Sequence, residues 1–151
     1  MKKTVMIVFL LVLFIISTGC SVSDPVISSL PDYNSRVFYT SGGFQDYTDY
    51  AKYTYKSISA QDFEASEYFC EVSADDIEEI LIYIDNYEEW VETIGSELKN
   101  NYDFDKSVIS EGDFFYTQTS SDNSADNKFA DYTIYYFDSD AKILYYFHNN
   151  I

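Results

Sequence analysis

A nucleophilic triad needs an imidazole to take the proton from a serine, threonine or cysteine. This chain of 151 residues has a single histidine, His148, close to its end. Counted along the two aromatic segments that finish the chain, His148 is expected opposite Asp131, where a weak ion pair accounts for it. Cys70 has no Cys-x-x-Cys partner, and between Phe69 and Val72 it reads as a small buried hydrophobe. One histidine and one available thiol do not make a zinc ligand set. Asp103, Asp105 and Ser107 begin with the oxygen spacing of a calcium loop, but the sixth position is Val108 where glycine is required, and the twelfth is Phe114 where a bidentate glutamate is needed. The stretch from Asp122 fails in the same way, with Asn127 sixth and Thr133 twelfth. There is no glycine loop to cradle phosphate, and 26 carboxylates single out no pair for glycoside hydrolysis. The residues read as a non-catalytic chain that needs no metal and no cofactor.

The elements that would position any binding residue are easier to read. Ile77, Ile80, Leu81, Ile84, Tyr87, Val91, Ile94 and Leu98 recur at steps of three and four, which predicts an amphipathic helix over about 74–94. Ser73 with Asp76 forms a capping-box variant at its start, and Gly95 is the candidate terminator. Glu78, Glu79, Asp85, Glu88, Glu89 and Glu92 fall on the other side, as expected of a solvated face. Phe44, Tyr47, Tyr50 and Tyr53 come every third residue after Gly42-Gly43, and this spacing favours a helix packed on one side, with a strand ending at Tyr55 or a sugar-stacking row as alternatives. A short strand is expected over 63–72. Val108-Ile109, a turn at Ser110-Glu111-Gly112-Asp113 and Phe114-Phe115-Tyr116-Thr117 read as strand, turn and strand. The polar loop 120–128 follows as the segment expected to be mobile. The closing stretch DYTIYYFDSDAKILYYFHN reads as two strands around Asp138-Ser139-Asp140-Ala141, placing Ile134 opposite Tyr145 and Tyr136 opposite Ile143. Together these predict one α+β domain, with one or two helices packed on an antiparallel meander.

The chain begins with Lys2 and Lys3, an apolar run from Val5 to Ile16, and the small residues Ser17, Thr18 and Gly19. This is the order of a secretory signal. Twelve apolar residues rise only about 18 Å as a helix, short of a hydrocarbon core of about 30 Å. Ile16-Ser17-Thr18-Gly19-Cys20 resembles the lipobox of bacterial lipoproteins, with Ser17 where leucine is commonest. The resemblance implies that Cys20 receives a diacylglyceryl group and becomes the new N-terminus, so that 1–19 is a signal peptide and the protein is held on a membrane facing away from the cytoplasm. On this reading 20–41, with Pro25 and Pro31, is a lipid-anchored flexible tether and 42–151 the single domain. YDFDKSVISEGDFFY and LYYFHNNI are also similar to stretches of small uncharacterised bacterial lipoproteins, and helices followed by a meander are similar to cystatin-like and NTF2-like folds. These likenesses carry no assigned chemistry.

Beyond residue 19 the chain keeps all 26 acidic residues and loses Lys2 and Lys3 of the nine basic ones, which leaves 7 − 26 = −19. Such a surface repels nucleic acid and anionic headgroups and favours a cationic partner: a basic protein, a peptide or metal ions. An acid-rich exported chain is also kept soluble by its charge alone. The 19% aromatic content, with 16 tyrosines, marks a folded chain and not a disordered acidic one. Three functional classes fit this character: a membrane-anchored binding or interaction module, an inhibitor or immunity-type protein for a basic exported enzyme or toxin, and a carbohydrate-binding or carbohydrate-active protein. Trp90, the only tryptophan, lies at the margin of the helical stripe and is the candidate partner contact.

Overall fold

The computed structural model describes residues 24–43, 46–94, 97–120 and 129–151. Cys20, Gly95 and most of the loop at 120–128 lie outside the described residues. The elements are α1 (Pro25–Ser28), β1 (Ser35–Gly42), β2 (Tyr47–Thr54), α2 (Ala60–Glu64), β3 (Cys70–Glu71), α3 (Ala74–Ile94), α4 (Glu97–Asn101), β4 (Phe114–Thr119), β5 (Asp131–Asp138) and β6 (Ile143–Asn150). The strands form one six-stranded antiparallel sheet in the order β1-β2-β6-β5-β4-β3. The expected α+β class is the one observed. After the first hairpin the chain leaves for the far edge, crosses a face of the sheet as α3, and returns through the β4-β5-β6 meander until β6 slots beside β2.

Both faces of the sheet are covered. On one, Ile80, Tyr83, Ile84, Tyr87 and Val91 of α3 pack on Tyr50, Tyr132, Ile134, Tyr136 and Phe147. The apolar stripe of α3 therefore packs as its period predicts, though Leu98, counted with that stripe, belongs to the separate α4, and the Ser73 amide donates to the Asp76 carboxylate at 2.9 Å, one of the two bonds of a capping box. The other face is covered by Val26, Ile27 and Leu30 from the N-terminal segment and by Phe63 and Phe69, all against Ala51, Tyr53, Phe114, Tyr135, Phe137 and Leu144. Tyrosine serves both cores by burying its ring and handing its hydroxyl to a fixed acceptor: Tyr132 to the Tyr83 carbonyl at 3.1 Å, Tyr50 to Asp103 at 2.8 Å, Tyr135 to Asp24 at 2.7 Å.

Several expectations are corrected. The tether expected over 20–41 does not describe the chain from Asp24 onward. Asp24 caps α1 by accepting from the Val26 amide at 2.9 Å, α1 buries Val26 and Ile27, and residues 35–42 are a strand. The segment around Tyr47, Tyr50 and Tyr53 is strand β2, not a helix. Its residues are buried on both faces, so no polar side marks the period, and the three-residue spacing carries Tyr50 to the α3 core and Tyr53 to the other. That also dissolves the proposed stacking row. Phe63 sits in α2, where Ser59 donates its amide to Asp62 at 2.8 Å, and only Cys70–Glu71 of the expected 63–72 strand pairs in the sheet. Cys70 is exposed there, not buried, because no described strand pairs outside this two-residue edge. Lys106–Val108 is a single 3₁₀ turn where a strand was expected. The final hairpin exists, but its register is two residues further on: Ile134 faces Phe147 and Tyr136 faces Tyr145. Asp138 holds the Asp140 and Ala141 amides at 2.9 and 2.8 Å while Lys142 takes a φ of 56°, so the loop is 139–142. A slip of two keeps each side chain on its face.

Candidate functional site

Trp90 lies on α3 one residue before the buried Val91 and is half-buried. It borders an apolar pocket of about 340 Å³ whose walls also include Tyr47, Thr93, Ile94 and Ile151, with Ser41, Gly42, Gly43 and Asp46 at the hairpin end. Three remote segments are fixed to make it. Gly42, the last residue of β1, has a φ of 120°, and a Cβ there would stand 2.2 Å from the Asp46 carbonyl oxygen, so the turn closes only with glycine. Gly43 donates its amide to that same carbonyl at 2.7 Å. The C-terminal Ile151 is pinned by its amide to the Ala130 carbonyl at 2.8 Å. The pocket has the makings of a receptor for one large apolar side chain, with a few polar groups at the mouth.

Beside it, sharing Thr93, runs a shallow acidic groove of Asp85, Glu88, Glu89 and Glu92. Two lysines answer half of its four negative charges from within. Lys106 pairs with Asp85 at 2.6 Å and Glu88 at 2.8 Å, Lys99 pairs with Glu92 at 2.6 Å, and the Tyr102 hydroxyl donates to Glu88 at 3.0 Å. The hydrogen bonds to Asp85 and Glu88 push the Lys106 ammonium well above its ordinary range. Glu89 alone of the four makes no such pair among the described residues. The solvated face expected of α3 is thus partly a strap of ion pairs, each worth little at a surface.

A second polar group occupies the far face of the sheet. The register sets Thr40, Asp49, His148, Thr133 and Gln118 in one row across five strands. His148 therefore faces Thr133 and Asp49, not Asp131 as expected. Its Nδ1 lies 2.8 Å from Thr133 Oγ1 and 3.1 Å from the Tyr132 carbonyl, and its ring lies 5.1 Å from that of Tyr47. Asp49 is buried, and its Oδ1 has no hydrogen-bond partner among the described residues. No ion pair among the described residues joins His148 to a carboxylate.

The residues with calcium-loop spacing are used otherwise: Asp103 binds Tyr50 and Lys52, and Asp105 caps the 3₁₀ turn through the Ser107 amide at 2.9 Å. No cluster of three metal-ligating side chains exists among the described residues, and no described helix is long and apolar enough to cross a membrane. Of the residues singled out in the sequence, Trp90 lines the pocket, His148 sits on the other side of the sheet, and Cys20 lies outside the described residues. Tyr47, Ile94 and Ile151 were not foreseen as its companions, since nothing local brings residues 41–48, 90–94 and 151 together. The one local sign was the Gly42-Gly43 pair. Comparison with known proteins finds no matching family, no matching curated protein and no matching solved structure.

Proposed function

We propose that this chain is a non-catalytic binding module, anchored through Cys20 to a membrane on its extracytoplasmic side, whose Trp90 pocket takes an apolar side chain of a cationic protein or peptide. The observation that carries the reading is the pocket itself: about 340 Å³, walled by Trp90, Ile94 and Ile151, with Tyr47 at its margin and the Tyr47 ring turned to His148. Tryptophan is among the residue types enriched at binding hot spots. The sign of the partner follows from the formal charge, −17 for the whole chain and 7 − 26 = −19 once residues 1–19 are removed, whose field draws cations in and repels nucleic acid and anionic headgroups. The lysine-flanked apolar leader ending at Gly19-Cys20 supports the anchor.

Two experiments test the reading. A photo-crosslinking residue placed at Thr93 in cells is expected to give a discrete adduct that disappears in Trp90→Ala and weakens as salt is raised. An adduct indifferent to both changes would sink it. Separately, Cys20→Ala is expected to abolish incorporation of labelled fatty acid and release the protein from membranes, and persistent labelling would remove the anchor.

A further inference from the structure

The two edges of the sheet are unlike. The β3 edge is two residues long and carries Glu71, the short charged ending with which natural sheets blunt an edge. The β1 edge runs for eight residues, and no carboxylate occurs between Asp32 and Asp46. No described strand pairs with its outer side. Val37 and Phe38, in the middle of it, are 40% and 42% exposed. Helix α4 lies against β1, and its buried Leu98 belongs to the same apolar cluster as Tyr39, while no backbone hydrogen bond to the outer side of β1 is made among the described residues.

This open edge is continuous with the Trp90 pocket. Ser41 and Gly42 are the last residues of β1, and both line that pocket. We infer that the partner binds as an extended basic segment, adding a seventh strand to β1 and sinking a large apolar side chain into the Trp90 pocket at the end of that strand. In such a complex the main-chain bonds supply affinity and the pocket supplies specificity. The net charge of the whole chain, not any carboxylate on the strip, selects the occupant. A second copy would bring another net charge of −17 against the first, whereas a basic segment is drawn in by the same field. At close range the acid-free strip lets a backbone approach without stripping water from carboxylates. Arg36, the one charge on the strand, is already held over the rings of Phe38 and Tyr53 at 4.7 and 5.4 Å. The inference rests on the pocket reading, and its test separates the two.

The test uses the full chain in detergent micelles with a synthetic peptide of alternating lysine and valine ending in phenylalanine, and a glutamate-for-lysine peptide as control. At a peptide concentration about ten times Kd, amide exchange over 35–42 is expected to slow about tenfold, as mass action requires. Trp90 emission is expected to saturate over the same range, and Trp90→Ala, checked by its unfolding curve, to weaken the protection. Methylating one alternate set of peptide amides is expected to abolish both signals, and the other set to spare them. A Trp90 response with unchanged β1 exchange overturns strand addition and leaves the pocket reading standing. Protection indifferent to Trp90→Ala overturns the joined site. Silence of both signals up to about 1 mM peptide, near the weak limit of useful affinity, overturns both readings. Protection that grows with protein concentration alone assigns the edge to a second copy and overturns the proposal.

Discussion

The phenol of Tyr87, on α3, donates a 2.8 Å hydrogen bond to the main-chain carbonyl of Asp49 in β2. Tyr87 is fully buried, so this bond fixes the helix along the sheet at the level where Asp49 and His148 face each other on the far side. Tyr87→Phe keeps the ring and removes the donor. It is expected to cost about 1 kcal/mol, read as a lower urea midpoint with unchanged slope. An unchanged midpoint would mean that apolar packing alone sets the position of α3.

Asp113 ties the turn before β4 to the loop between β5 and β6. It is buried and accepts from the Ser110 amide at 3.2 Å, the Ser110 hydroxyl at 3.0 Å, the Ser139 amide at 2.9 Å and the Tyr136 phenol. Asp113→Ala would strand those donors, and a loss of about 3 kcal/mol is expected in chemical unfolding. A loss below about 1 kcal/mol would show that water replaces the carboxylate without difficulty.

The hairpin at the pocket discriminates its two glycines. Gly42→Ala meets the Asp46 carbonyl and an unfavourable φ, and should cost at least about 2 kcal/mol. A Cβ on Gly43 meets no described residue within 4 Å, so Gly43→Ala should stay within about 0.5 kcal/mol. Thermal melts of the two variants side by side decide it, and equal shifts would refute the turn geometry.

Burial pushes the phenols of Tyr50, Tyr87, Tyr102, Tyr132, Tyr135, Tyr136 and Tyr146 far above the ordinary value of 10.0. Raised folded values mean that the unfolded chain loses its phenolic protons first. Their contribution to stability is complete below pH 10 and is lost as pH rises beyond it. Tyrosinate absorbance should therefore appear in a cooperative step that coincides with loss of the far-ultraviolet circular dichroism signal. A gradual titration with the fold intact would contradict the burial of these rings.

What the sequence settled by itself is what leaves a period or a cap in the local chain. Helix α3 shows a buried stripe and an exposed side, and Ser73 with Asp76 marks its start, so its approximate span was legible. The aromatic hairpin that closes the chain was legible for the same reason, and with it the α+β class. Only the tertiary structure decided the rest. Strand β2 lies between two cores and has no polar side to reveal its period, so Tyr47, Tyr50 and Tyr53 misled as a helix. Val26, Ile27 and Leu30 look like scattered apolar residues in a linker until the second face of the sheet exists to receive them. The final register depends on Asp138 gripping two amides and Lys142 accepting a left-handed φ, a choice between loops that local sequence permits equally. The pocket is the extreme case: Gly42, Trp90 and Ile151 are strangers in sequence, and only antiparallel pairing around a six-stranded sheet brings a turn, a helix end and a chain terminus to one place.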